Sequence, residues 1–143
     1  MLKFKWSSGH RPEYKTLRST GADIKARESI TIPGHSMRLV PVGVWIEDSG
    51  TDYGVEYDIQ LRARSSLFKQ TDCILSNGVG TIDSDFRDEI QVPLYNTLAH
   101  PTLIPKGMSI AQLVIATAYP QFEFFKRNDE RDGGFGSTPE ERR

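Results

Sequence analysis

Apolar side chains recur at every second position along most of this chain, and that period suits strands rather than amphipathic helices. "SMRLVPVGVWIE" alternates Met37 and Leu39, then Val42, Val44 and Ile46. "VEYDIQLRA" sets Val55, Tyr57, Ile59 and Leu61 against polar neighbours, and "EIQVPLYN" does so with Ile90, Val92 and Leu94. "SIAQLVIATA" is a near-continuous apolar run of strand length, and "FEFF", Phe122 to Phe125, closes the series. Turn signals punctuate these runs at Pro33-Gly34, Ser49-Gly50, Asn77-Gly78 and Lys106-Gly107. Short strands separated this way predict an antiparallel all-β sandwich or barrel. Pro93 cannot donate to a ladder, so its strand is expected at an edge or a bulge. The one helix expected is a turn or two at "SSLFKQ", capped by Ser65 or Ser66.

Composition narrows the class. The 143 residues suit one domain, and 37% hydrophobic content is lean enough that subunit contacts are expected to complete the burial. The net charge of −1 gives no bulk attraction to nucleic acid or anionic membrane, so direct nucleic-acid binding is not expected. A single cysteine, Cys73, excludes an intrachain disulfide framework and a cysteine zinc site, and is expected to be buried and inert. No run is long enough to span a membrane, and "MLKFKWSSGHRPEYK" lacks a signal peptide's apolar core. A cytoplasmic protein is the expectation. His10, His35 and His100 have no metal-ligand spacing and are expected at the surface. Residues 1–126 read as the β-domain. Residues 127–143, with "RDGGFGST", change to charge and glycine around Phe135 and read as a flexible C-terminal arm.

Three stretches could carry chemistry. In "RARSSL", Arg62 and Arg64 would share a strand face, and Arg64 runs into a helix start. Unpaired N–H groups beside a guanidinium make a phosphate site, although an ordinary cap beside a solvated arginine has the same sequence. In "SNGVGTIDSDFRDE", Asp83 and Asp85 would share a face of an extended segment, in a hairpin running from Asn77 to Asp85. Ile82 would partly desolvate the carboxylate and raise its proton affinity toward that of a useful base, or the pair could be turn aspartates bonded to an arginine. "GGFGST" could be a tail, or a flap closing Phe135 on a base and Ser137 and Thr138 on phosphate.

Taken together, "TGADIKA", "RARSSL", "SNGVGTIDSDFRDE", "KGMSIAQLVI" and "RDGGFGST" resemble, in order, the five motifs of the trimeric dUTPase family, over residues 20 to 138. The resemblance implies a jelly-roll-like β subunit and a homotrimer with active sites shared between chains. It implies hydrolysis of dUTP to dUMP and diphosphate, limiting uracil entry into DNA and supplying dUMP for dTMP synthesis. Asp83 matches the residue that deprotonates the water attacking the α-phosphorus. Asn77, with the hairpin backbone at Gly80, Thr81 and Ile82, matches the uracil contacts, and Phe86 matches the aromatic packed on deoxyribose. Arg64, Ser65 and Ser66 match the phosphate-binding second motif. Asp23 and Gln112 match positions that hold magnesium through water or contact the phosphates. Arg131, Phe135, Gly136, Ser137 and Thr138 match the arm. A triphosphate's charge calls for such a hard cation in its own right.

The sequence departs from the family pattern in four places. Met108 and Ser109 stand where an acidic residue and an arginine are usual. Arg131 lies one residue closer to Phe135, with Glu130 in the usual arginine position. Asp88 replaces a glycine, and Phe86 replaces a tyrosine. The related dCTP deaminase shares an "RSSL"-like motif but needs a glutamate where Pro93 stands. A non-catalytic nucleotide-binding protein would be free to lose Asp83, and a purely structural jelly roll leaves the five motifs unexplained.

Overall fold

The structure is a computed structural model that describes residues 1–49, 56–118 and 123–127. Among these, β1 (Lys3–Trp6), β2 (Ala22–Lys25), β3 (Ile30–Ile32), β4 (Met37–Pro41), β5 (Val44–Asp48) and β6 (Glu56–Arg62) precede a single short helix, α1 (Leu67–Thr71). After it come β7 (Cys73–Leu75), β8 (Gly80–Ile82), β9 (Gln91–Asn96), β10 (Thr102–Ile104) and β11 (Ser109–Ala118). The strands pair antiparallel as β2-β11-β6-β8, β4-β9-β7, β1-β5 and β10-β3. Their inward residues, among them Ile59 and Leu61 of β6, Val92 and Leu94 of β9, and Leu113 of β11, meet in one core. This is the all-β architecture that the period of two predicts, in the jelly-roll-like form that the resemblance implies. No helix among the described residues is long and apolar enough to cross a membrane.

The alternation is cleanest on β6, where Ile59 and Leu61 are buried and Glu56 and Arg62 exposed. It breaks on β4, where Met37 and Leu39 face outward and Val40 is buried. Gly43, at φ +66°, turns the chain between β4 and β5, and Val44 and Ile46 point inward beyond it. Of the closing "FEFF" run, Glu123 to Phe125 form no strand, and Phe124 and Phe125 are exposed. Val55 and Phe122 lie outside the described residues.

Pro93 is not at an edge: β9 is the middle strand of its sheet. Its position within the ladder is what allows this. A strand residue directs its N–H and C=O to the same side. The Pro93 carbonyl accepts from the Ser76 N–H at 3.0 Å, and Ser76 lies just past the last paired residue of β7. The missing N–H therefore faces the point where that ladder has already ended.

His10 also departs from expectation: it is 6% exposed. Ser7 N–H donates to the Gly43 carbonyl and His10 N–H to the Ser7 carbonyl, each at 2.9 Å, folding this turn onto the domain. His35 and His100 are at the surface, as expected. Cys73 is fully buried, and that burial pushes its thiol pKa up. With its thiolate disfavoured and its sulfur covered, Cys73 should react with Ellman's reagent only as fast as the protein unfolds. Rapid labelling of folded protein would show that β7 opens locally.

Candidate active site

Two clefts collect the residues singled out by sequence. The first, about 420 Å³, lies beside β8. Leu39, Leu61, Ile90 and Pro93 supply its apolar lining, and Asn77, Gly80, Thr81, Ile82, Asp83 and Phe86 its other wall. β8 is fixed by its ladder to β6, with Leu61 opposite Gly80 and Ile59 opposite Ile82. Gly80 is buried so tightly that a Cβ there would stand 2.9 Å from the Leu61 Cβ, so any side chain would force β8 off β6.

The segment expected as a hairpin has a different form. A tight turn does close over Leu75 to Gly78, with the Gly78 N–H donating to the Leu75 carbonyl at 3.1 Å. The strands either side of it pair elsewhere, β7 with β9 and β8 with β6, so the turn is a corner between two sheets. The strand then stops at Ile82. Asp83 and Asp85 do not share a strand face, because the Phe86 N–H donates to the Asp83 carbonyl at 3.0 Å and closes a turn. Asp83 is exposed, so the partial desolvation expected from Ile82 is not supplied by this chain alone. Asp85 bonds no arginine among the described residues. Arg87 shapes the loop instead, donating to the Ser84 carbonyl at 2.9 Å and to the Ser49 hydroxyl at 2.5 Å.

Glu89, which sequence reasoning missed, anchors this loop from below. It accepts a two-pronged bond from Arg27 at 2.6 and 3.1 Å and a further bond from the Gly43 N–H at 2.8 Å. Only 14% of its side chain is exposed. The carboxylate holds the Arg27 guanidinium even more firmly protonated than usual. The partners are 62 residues apart, and nothing local in the sequence signals the pairing. Asp88, beside it, has no left-handed backbone despite standing where a glycine is usual.

The second cleft, about 240 Å³, is lined by Lys15, Ser19, Thr20, Gly21, Asp23, Arg64, Ser65 and Gln112. Arg64 Nε donates to Asp23 Oδ1 at 3.1 Å, and its Nη1 donates to the Ser109 carbonyl at 3.1 Å. Gln112 Nε2 donates to the Ala63 carbonyl at 3.0 Å. Asp23, Gln112 and Arg62 are successive partners across β2, β11 and β6. Arg62 does not share a strand face with Arg64, because β6 ends at Arg62, whose side chain donates to Gln60. Ser66 occupies the N-cap position of α1 without a side-chain cap and lines neither cleft. Arg131, Phe135, Gly136, Ser137 and Thr138 lie outside the described residues.

The two clefts are well separated within one chain. Asp23 is three strand spacings from β8, and Asp83 lies just past the end of β8 at Ile82, beyond the position level with Asp23. At ~4.8 Å between strands and ~3.3 Å per residue, the two carboxylates are roughly 20 Å apart in the sheet. That is too far for both to act on one phosphorus atom.

The sequence profile of the dUTPase family matches residues 7–139. The chain belongs to the dUTPase family. A deoxyuridine 5'-triphosphate nucleotidohydrolase from Finegoldia magna is 34% identical over 138 residues, covering 92% of this chain and 93% of that one. The fold is shared with solved dUTPases. That from Streptococcus mutans superposes with a TM-score of 0.70 at 22% identity, over 85% of this chain and 98% of the other. A mutant dUTPase from phage phi11 of S. aureus, described as coordinating a structural Mg(II) ion, superposes at 0.72 with 18% identity, over 92% and 99%.

Membership also accounts for two of the departures in motif. Arg64 uses the carbonyl of Ser109, which any residue supplies, so the side chain there is not needed for this contact. Asp88 fits without strain because the backbone there is not left-handed, so no glycine is required.

Proposed function

We propose that this protein hydrolyses dUTP to dUMP and diphosphate at sites shared between the subunits of a homotrimer. The observation that carries the reading is the convergence of Asn77, Gly80, Thr81, Ile82, Asp83 and Phe86 on one cleft, in a chain of this family. Backbone along the Asn77–Ile82 wall is suited to pair with uracil's edge and to leave no room for a methyl group. Phe86 packs on the deoxyribose and disfavours a 2′-hydroxyl. The Asp83 carboxylate takes a proton from water, whose oxygen forms a bond to the α-phosphorus. The bond from that phosphorus to the α,β-bridging oxygen breaks, and diphosphate leaves.

The roughly 20 Å between Asp83 and the Asp23–Arg64 cluster favours a site in which one chain supplies the nucleoside wall and a second holds the phosphates. The arm, residues 127–143, would then bring Arg131, Phe135, Gly136, Ser137 and Thr138 over the bound nucleotide. No cluster of three or more carboxylate, histidine or cysteine groups exists among the described residues. The described residues therefore offer no dense metal cage. One carboxylate, Asp23, and one amide, Gln112, suit a magnesium ion that keeps its waters and is chelated mainly by substrate phosphates. When bound, magnesium neutralises phosphate charge. Asp23 and Gln112 would hold its waters, and Arg64 and Ser65 the phosphate oxygens. A nucleotide-pool enzyme with one buried thiol suits the cytoplasm.

Diphosphate release with magnesium tests the reading. kcat/KM for dUTP should exceed that for dTTP, dCTP and UTP by about 10³-fold or more, as expected where hydrogen bonds read the substrate. Folded protein without dUTP turnover would sink the enzymatic reading and favour a nucleotide-binding role. Ammonia from dCTP would favour the deaminase.

A further inference from the structure

We infer that Lys15, which none of the family's motifs assigns, is a substrate-binding residue that grips the diphosphate end of the nucleotide. The inference rests on the dUTP reading. Three observations carry it. The first is register: Glu13 and Asp23 exchange backbone hydrogen bonds at 3.1 and 2.8 Å. That bridge is isolated and the chain bends at Lys15, so it brings the start of the Lys15 loop beside the edge of β2. Gly21 in turn leaves no space for a Cβ, which would stand 2.3 Å from the Gln112 Oε1. Lys15, Asp23 and Gln112 thus border one cleft, with Arg64 and Ser65 completing it.

The second is charge. Arg64 and Asp23 are bonded to each other, so their charges largely cancel. Lys25, the next lysine along, is paired with Glu13 at 3.6 Å. Lys15 has no ion pair among the described residues, and it is the one charged side chain of this cleft without a counter-ion. A nucleoside triphosphate entering here, even with one divalent cation, keeps a net negative charge. An ammonium at the rim acts on it as a point charge.

The third is that the lysine sits on a braced loop. The Thr16 N–H donates to the Ser19 hydroxyl at 3.0 Å, the two hydroxyls lie 3.2 Å apart, and the Ser19 N–H returns to the Thr16 carbonyl at 3.2 Å. The backbone that carries Lys15 is thereby held in place before the ligand arrives.

The test compares Lys15→Gln with Lys15→Arg and Arg18→Gln. Arg18 lies in the same loop but does not line the cleft, and its loss changes net charge equally. Lys15→Gln should raise KM for dUTP and the inhibition constant of diphosphate about tenfold each, within the range of a charge-assisted contact. Inhibition by dUMP, which lacks the outer phosphates, should stay within about twofold, and Lys15→Arg should restore most of the loss. If wild type turns over dUTP and Lys15→Gln matches it in KM and diphosphate inhibition, the lysine has no such role and the dUTP reading stands. An equal loss in Arg18→Gln, or an equal loss of dUMP inhibition, overturns it too. If wild type does not turn over dUTP, calorimetric titration of wild type and Lys15→Gln with magnesium diphosphate still decides the lysine's role.

Discussion

Replacing Asp83 with Asn should lower kcat on dUTP about 10³-fold, in the middle of the range for loss of a general base. The amide keeps the shape of the carboxylate and cannot accept the proton from water. Asp83 lies in an exposed turn, and among the described residues only its backbone carbonyl is bonded, to the Phe86 N–H. The substitution therefore removes nothing that supports the fold, and the melting temperature should not move. Binding of a non-hydrolysable dUTP analogue should change by no more than a few fold, because the carboxylate acts on water rather than on the nucleotide. Stopped-flow diphosphate-release assays and titration calorimetry on the same preparation separate these effects. A variant that turns over dUTP within tenfold of wild type would remove Asp83 from the chemistry.

The largest effect on stability is expected at Asn96. Its side chain is fully buried on β9. The two amide hydrogens are shared among the carbonyls of Ile32, Pro33 and His100, at 3.1, 3.4 and 2.8 Å, while its oxygen accepts from the Leu98 N–H at 3.0 Å. One residue thus ties the end of β3 to the loop before β10. Asn96→Ala would strand several buried polar groups, and at ~1–3 kcal/mol for each such group the loss should be about 3 kcal/mol. Calorimetry should register this as a fall of roughly 10 °C in melting temperature. Asn96→Asp should do at least as much harm at neutral pH, since it faces a carboxylate oxygen toward three carbonyls. Melting temperatures unchanged in both variants would mean these loops are held by other contacts.

Asn96 also shows what could be read in advance. Val92, Leu94 and Asn96 are spaced by two, so the strand pattern itself puts the asparagine on the core side, where a polar group needs partners. That signal was present and easily passed over. The all-β class, the single short helix and the grouping of Asn77 to Phe86 were legible because each depends on local spacing. The pairing of Arg27 with Glu89 was not, because it depends on where distant strands come to rest. The edge assignment for Pro93 failed for a related reason. A proline forbids one hydrogen bond, and only the length of the neighbouring β7 decides whether that bond was needed. The burial expected around Asp83 failed because the strand ends at Ile82 and the turn that follows leaves the carboxylate exposed.

The hold of Arg64 on the Ser109 carbonyl has a consequence for how such a protein can change over generations. A peptide oxygen is supplied by every codon, so mutations at position 109 leave that bond intact and can accumulate. Positions 21 and 80 have no such latitude, because there the missing side chain is itself the requirement. Drift should therefore run freely at position 109 while glycine persists at those two sites, so a motif can lose a usual letter without losing the contact made there.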